Sequence, residues 1–197
     1  INNAGALFNE KELTSEGFEK SFALLLLGPY IFTTLLFPLL KNSENGARII
    51  NVSSGGMYGS RLEVQHLNST DDYNGTIAYS RAKRGLVAIS EFWAESLKKD
   101  NIASFSMHPG WTDTEAVKSS LPGFYNLTKD ILRNTKEGAD TINWLASAEE
   151  LNKKTGGFYL DRKLQPQHIF FTEHSPEEVK NLVDFLENCG EKFLKIS

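Results

Sequence analysis

The chain has 197 residues, 40% apolar and 23% charged, a balance that suits one soluble domain with a sizeable core and excludes a disordered or low-complexity chain. Its formal net charge of −4 excludes a basic nucleic-acid footprint, so no nucleic-acid partner is expected. The single cysteine, Cys189, allows no intrachain disulfide and favours a reducing, cytoplasmic setting.

The first residue is Ile1, and no charged leader region or cleavage site precedes the first apolar stretch, so the sequence reads as a trimmed chain or a fragment. Ile1-Asn2-Asn3-Ala4-Gly5 has the character of a strand end entering a turn. Thr14 or Ser15 is placed to cap a helix over about 16–40. Within it, Phe22 to Leu40 carries no charge, which is long enough for a membrane span. A helix buried on most sides, against a sheet and a partner subunit, is the preferred reading. Gly28-Pro29 interrupts the run and its flanks are weak anchors.

Arg48 to Ser53 is short, β-branched and apolar, as a buried strand should be. Gly55-Gly56 ends it. Residues 57–75 are polar and irregular, and Thr76 is placed to cap a helix over about 77–99. Ile102 to Met107 is the next strand, stopped by His108-Pro109-Gly110. Residues 111–134 form a long connection whose aromatics suit a binding lid. Thr135 begins a helix to about 147, and 156–160 is a last short strand. Residues 161–174 read as irregular. Ser175-Pro176-Glu177-Glu178 is a capping box opening an amphipathic helix to about Leu194. Four Asn-x-Ser/Thr triplets, at Asn51, Asn68, Asn74 and Asn126, are read as incidental, since Asn51 falls in a buried strand.

Strands alternating with helices imply a parallel sheet covered on both faces, with any ligand outside the strand carboxyl ends. Gly5, Ser54 and Pro109-Gly110 fall at those ends, and Tyr79 and Lys83, four apart near a helix start, would face the same crevice. A lysine beside a phenol favours the phenolate, so the pair is expected to lower the Tyr79 pKa and exchange a proton near neutral pH. A serine at the strand end could hold a carbonyl oxygen in front of that phenol. His66, His108, His168 and His174 show no metal-ligand spacing, and none is read as a ligand.

Asn2-Asn3-Ala4-Gly5, Val52-Ser53-Ser54, Tyr79-x-x-x-Lys83 and Pro109-Gly110-x-x-x-Thr114 occur in order, and over nearly its whole length the chain resembles the carboxyl-terminal part of a short-chain dehydrogenase/reductase. The resemblance implies a Rossmann-like doubly wound parallel α/β sheet truncated at its amino-terminal side, lacking strands one to three, with residues 1–197 forming one partial domain. It implies Ser54, Tyr79 and Lys83 as catalytic residues, and Asn2, Gly5, Tyr79, Lys83, Pro109, Gly110 and Thr114 around a cofactor, NAD or NADP with NADP favoured. Trp111 and Phe124 are assigned to the substrate pocket, for a small carbonyl or alcohol substrate of apolar character. The long apolar helix is expected to build a homo-oligomer, in preference to a membrane contact. The sequence departs from the family pattern in two ways. Leu25 stands where the family's relay asparagine is expected, and the glycine-rich phosphate turn is absent from these residues. A catalytically weak cofactor- or partner-binding protein is the alternative these departures favour, and tight dinucleotide binding by the chain alone is not expected.

Overall fold

Two buried hexapeptides, the first rich in β-branched residues, form one side of the sheet. In this computed structural model, which describes all residues except 70, 115, 116, 119–121, 196 and 197 (and Phe124 in its backbone only), β1 (Ala47–Val52) pairs in parallel with β2 (Ile102–Met107). The register runs from Ala47 opposite Ile102 to Val52 opposite Met107. On the other edge of β1, Asn2 adds a parallel bridge, donating to the Ile50 carbonyl and accepting from the Val52 amide. β3 (Phe158–Leu160) follows β2 in parallel.

The 161–174 stretch corrects the sequence reading. β4 (Lys163–Gln165) pairs antiparallel with β3, so the sheet is mixed, in the order β1-β2-β3-β4. Asp161 and Arg162 form the hairpin turn with φ of +52° and +59°, the backbone signs of a two-residue I′ connection. That turn usually carries Asn-Gly, so an Asp-Arg pair gives no hairpin signal.

Alternation along the strands feeds two cores. Ile49 and Ile102 pack with α1 (Lys20–Lys41), α2 (Gly75–Ser96) and α5 (Pro176–Leu194). Ile50, Val52, Phe105 and Met107 pack with Leu145 of α4 (Thr135–Ser147). Trp93 is buried and stacks on Tyr30 of α1 at 5.9 Å between ring centres. Residues 111–134, read as a long connection, contain the short helix α3 (Pro122–Thr128).

Three helix starts lie close to the expected positions but use other caps. Glu19, not Thr14 or Ser15, caps α1 by accepting from the Ser21 and Phe22 amides. Thr14 instead closes a preceding turn around Gly17. Asn74 caps α2 in place of Thr76, and Asn134 forms a capping box with Glu137 in place of Thr135. Each asparagine or glutamate reaches forward to an amide the expected residue does not serve. The Ser175–Glu178 box of α5 is as read. The triplet asparagines Asn51, Asn68 and Asn74 have structural uses: Asn51 is buried in β1, Asn68 accepts from the Glu19 amide, and Asn74 is the cap.

Gly28-Pro29 does not break α1; it widens it. Pro29 has no N–H and cannot sit against the carbonyl four residues back. Residues Ala23–Leu27 therefore adopt π-helical bonding, with the Gly28 amide donating to Ala23. The expectation of a helix buried on most sides holds only for its first half. Phe22, Leu25, Leu26, Leu27 and Tyr30 are buried, whereas Phe32, Leu35 and Leu39 are 58%, 46% and 69% exposed. By length and composition α1 still meets the requirement for crossing a membrane.

Candidate active site

The Ser53-Ser54 pair ends β1 and divides between two tasks. Ser53 is buried and donates to the backbone carbonyl of Lys83 at 3.0 Å, fixing the strand end against α2. Ser54 accepts from the Gly56 amide at 3.1 Å and hydrogen-bonds the Tyr79 side chain. Gly56 sits between them: a Cβ built on it would lie 3.5 Å from Ser54 Oγ and 3.7 Å from the Tyr79 ring.

Tyr79 and Lys83 lie one turn apart on α2, with the Lys83 Nζ 5.7 Å from the Tyr79 ring centre. Lys83 is buried and donates to the Val52 carbonyl at 2.7 Å. Burial brings its ammonium down to about 8. Tyr79 behaves differently from the sequence expectation: burial raises its pKa, and the Ser54 hydrogen bond offsets only part of that. At 5.7 Å, with its ammonium turned to Val52, Lys83 does not reverse the effect of desolvation. Tyr79 is held as a protonated donor.

Gly5 permits the close approach on the other side. A Cβ there would lie 3.6 Å from Lys83 Nζ and 3.1 Å from the Leu25 methyl, so Leu25 reaches the lysine's surroundings. Asn2 donates to Thr33 at 3.0 Å and to Asn51 at 2.8 Å; its contribution is to fix the strand end that carries Gly5. Ser54, Tyr79, Lys83 and Gly5 thus converge.

The 109–114 segment is held by a residue the sequence reading passed over. Arg133 donates its amide to the Trp111 carbonyl at 2.9 Å, accepts from the Asp113 amide at 2.8 Å, and grips Asp161 through two bonds of 2.5 and 2.8 Å. Its guanidinium also donates to the Pro109 carbonyl at 3.4 Å and lies against Gly110, whose φ is +78°. Thr114 accepts from the Val117 amide at 3.3 Å, closing a turn. Trp111 is half exposed beside this segment. The Phe124 side chain lies outside the described residues.

His108, read from the sequence only as a strand end and not as a ligand, also borders the site. Its ring packs on Gly55, next to Ser54, where a Cβ would meet Nε2 at 3.2 Å. Burial, with the Arg133 charge adding to it, brings its pKa down to about 4. Arg133 reaches this segment by the path of the 111–134 connection, and His108 reaches Gly55 through the pairing of Met107 with Val52; neither shows as a spacing in the sequence.

A serine, a tyrosine and a buried lysine lie together at the carboxyl end of β1, one of the parallel strands of an α/β fold. The profile described as short chain dehydrogenase matches residues 1–123, and the chain belongs to that family. It is 41% identical over 98% of its length to the human dehydrogenase/reductase SDR family member 12, and 30% identical over 83% to mouse retinol dehydrogenase 11. It spans 61% and 52% of those two proteins. Among solved structures, an uncharacterised protein from Mycobacterium paratuberculosis matches 96% of the chain at a TM-score of 0.71 and 24% identity, with 65% of that protein covered. The angucycline C-6 ketoreductase LanV with bound NADP matches 80% at 0.58 and 26% identity, with 58% covered.

Proposed function

We propose that this chain carries the reacting end of a nicotinamide-dependent oxidoreductase that reduces a carbonyl or oxidises a secondary alcohol. The observation that carries the reading is the convergence of Ser54, Tyr79 and Lys83, with Tyr79 hydrogen-bonded to Ser54 and kept protonated by burial. In reduction, Ser54 orients the carbonyl oxygen and Tyr79 gives it a proton, becoming the phenolate; in oxidation it is that phenolate, not the resting phenol, that takes the alcohol proton. Lys83 has three donors and the Val52 carbonyl takes one, leaving capacity for ribose hydroxyls beside Gly5. The residues present fit the nicotinamide-ribose end of a dinucleotide, which would supply the hydride in reduction and accept it in oxidation. Asn2, Gly5, Pro109, Gly110 and Thr114 are the residues assigned to border that position, and Trp111 is assigned to the substrate. LanV is a ketoreductase solved with NADP, which favours NADP, and the likeness to a retinol dehydrogenase favours an apolar substrate.

The phosphate-binding turn is not in these 197 residues. Among the described residues Asn2 has a strand neighbour on one side only, and we read that edge as the seat of the strands the family resemblance implies. A second reading, a weakly catalytic binding protein, is favoured by Leu25, a buried hydrocarbon where a relay asparagine was expected. Turnover of a carbonyl panel with NADPH by the intact protein separates the two. Tyr79→Phe should reduce kcat by roughly 10²- to 10⁴-fold with little change in KM. Equal turnover by wild type and variant would sink the catalytic reading.

A further inference from the structure

A second cluster lies farther along α2. Glu91 meets His168 and His174, two residues of the segment between β4 and α5. His174 Nε2 is 2.9 Å from one Glu91 oxygen, and His168 Nε2 is 3.5 Å from the other. One ligand atom from each of the three residues can be chosen so that all lie within 4.8 Å of one another. The two imidazoles meet edge to face at 4.6 Å.

The chain is shaped to bring them together. Phe170 has φ +42°, a strained value for an aromatic residue, and its side chain is exposed, so the strain is not compensated by that side chain's packing. The turn is closed by Thr172, whose amide donates to the Ile169 carbonyl at 2.9 Å and whose hydroxyl accepts from the Ile169 amide at 2.8 Å. The same turn offers the Thr172 carbonyl to His168 Nδ1 at 3.1 Å. A carbonyl only accepts, so Nδ1 carries a proton, and Nε2, which faces Glu91, is the nitrogen available to a ligand. A histidine held through one nitrogen with the other free for a ligand is the usual second-sphere arrangement of a metal site. Glu91 Oε1 is buried without a hydrogen-bond partner, an orphan that a cation would satisfy.

We propose that Glu91, His168 and His174 bind one late first-row divalent cation, zinc in the first instance. Two imidazole nitrogens and a carboxylate oxygen suit that ion, with water completing a four-coordinate shell, since Glu91 and His168 are partly open to solvent. On binding, His174 Nε2 turns from the carboxylate to the metal and its proton resides on Nδ1. The ion's role is to clip residues 161–174 to the helix that carries Tyr79 and Lys83. Arg84, two turns before Glu91, already ties that segment through the Gln167 carbonyl at 2.8 Å; its positive charge near Glu91 opposes the binding of a cation.

The test is titration of zinc into the chelator-treated, dialysed full-length protein by calorimetry, with cobalt absorption as a second readout. One ion per chain and a rise in Tm on zinc addition are expected. His168→Asn and Glu91→Gln should each weaken binding by more than about tenfold, and the exposed His66→Asn should leave it unchanged. His168 is the first choice because it is the most exposed of the three, so its variant should still fold. Its fold is checked by the melting temperature without metal. No stoichiometric binding, or binding that survives both His168→Asn and Glu91→Gln, overturns the proposal.

Discussion

Lys83 and His108 both sit where a charge is poorly solvated, and the sign of each effect can be worked out. Lys83 is brought from 10.5 to about 8 in the folded chain. Between those values the unfolded chain holds a proton that the native chain does not, so stability rises with pH there. Below about 8 the native state retains a buried cation with one carbonyl partner. Lys83→Met should therefore abolish turnover without lowering Tm at neutral pH. His108 is brought from 6.5 to about 4, and the native ring stays neutral while the unfolded ring charges. As pH falls from 6.5 to 4, wild type should lose up to about 3 kcal/mol relative to His108→Asn. Urea unfolding of the pair across that range measures it, and parallel profiles would show that the ring is not held neutral. Tyr79 belongs to the same logic. Its raised pKa means that the proton needed for reduction is present throughout the neutral range, so kcat/KM for reduction should decline above about pH 8, where Lys83 loses its charge, rather than with Tyr79 itself.

At the scale of elements, the contact that seats the site is between the π-helical segment of α1 and Gly85 of α2. A Cβ on Gly85 would lie 2.5 Å from Leu26 Cδ2, and Leu26 is fully buried. Alanine gains up to about 1 kcal/mol of helix propensity, but crowding a packed core costs about 1–3 kcal/mol. Gly85→Ala should lower Tm, and adding Leu26→Ala should show a favourable coupling of about 0.5–3 kcal/mol in a double-mutant cycle. A rise in Tm on Gly85→Ala alone would show that Leu26 gives way. This contact also marks the limit of what the sequence reveals. Arg48–Val52 and Ile102–Met107 were legible because a run of buried strand residues carries its own pattern, and Tyr79-x-x-x-Lys83 because helical spacing places both on one face. The π segment was not, since Gly28-Pro29 reads equally as a break. Nor was β4, since Asp161-Arg162 hides a turn that glycine would have announced. The Glu91–His168–His174 cluster was invisible for another reason: its members are brought together by the path of a loop, not by spacing. The raised Tyr79 pKa was missed because sequence gives the neighbouring charge but not the depth of burial.

For the whole molecule, the question is what covers the second half of α1. Phe32, Leu35 and Leu39 recur at helical spacing and are exposed, and Phe92 on α2 is 37% exposed. Three large apolar side chains on one stripe are more than scattered surface residues, and cover by a second copy of the chain is the expectation to be tested. Burying a Phe or Leu fully is worth about 1.5–3 kcal/mol, and in a twofold dimer each position counts twice. Phe32→Glu with Leu39→Glu should therefore raise the dimer dissociation constant by several powers of ten. Both sites face solvent in the chain, so the fold and the melting temperature of the dilute protein should change little. Sedimentation velocity of the intact protein is the measurement: wild type should run as a dimer and the double variant as a monomer. A monomeric wild type that sediments with membranes, and is released by the same substitutions, would assign the stripe to lipid instead. The two outcomes differ for a physical reason. A dimer needs a complementary apolar stripe and a concentration above its dissociation constant, whereas membrane attachment depends on lipid and not on a second chain. Dilution at fixed lipid therefore separates them even if both substitutions abolish the contact.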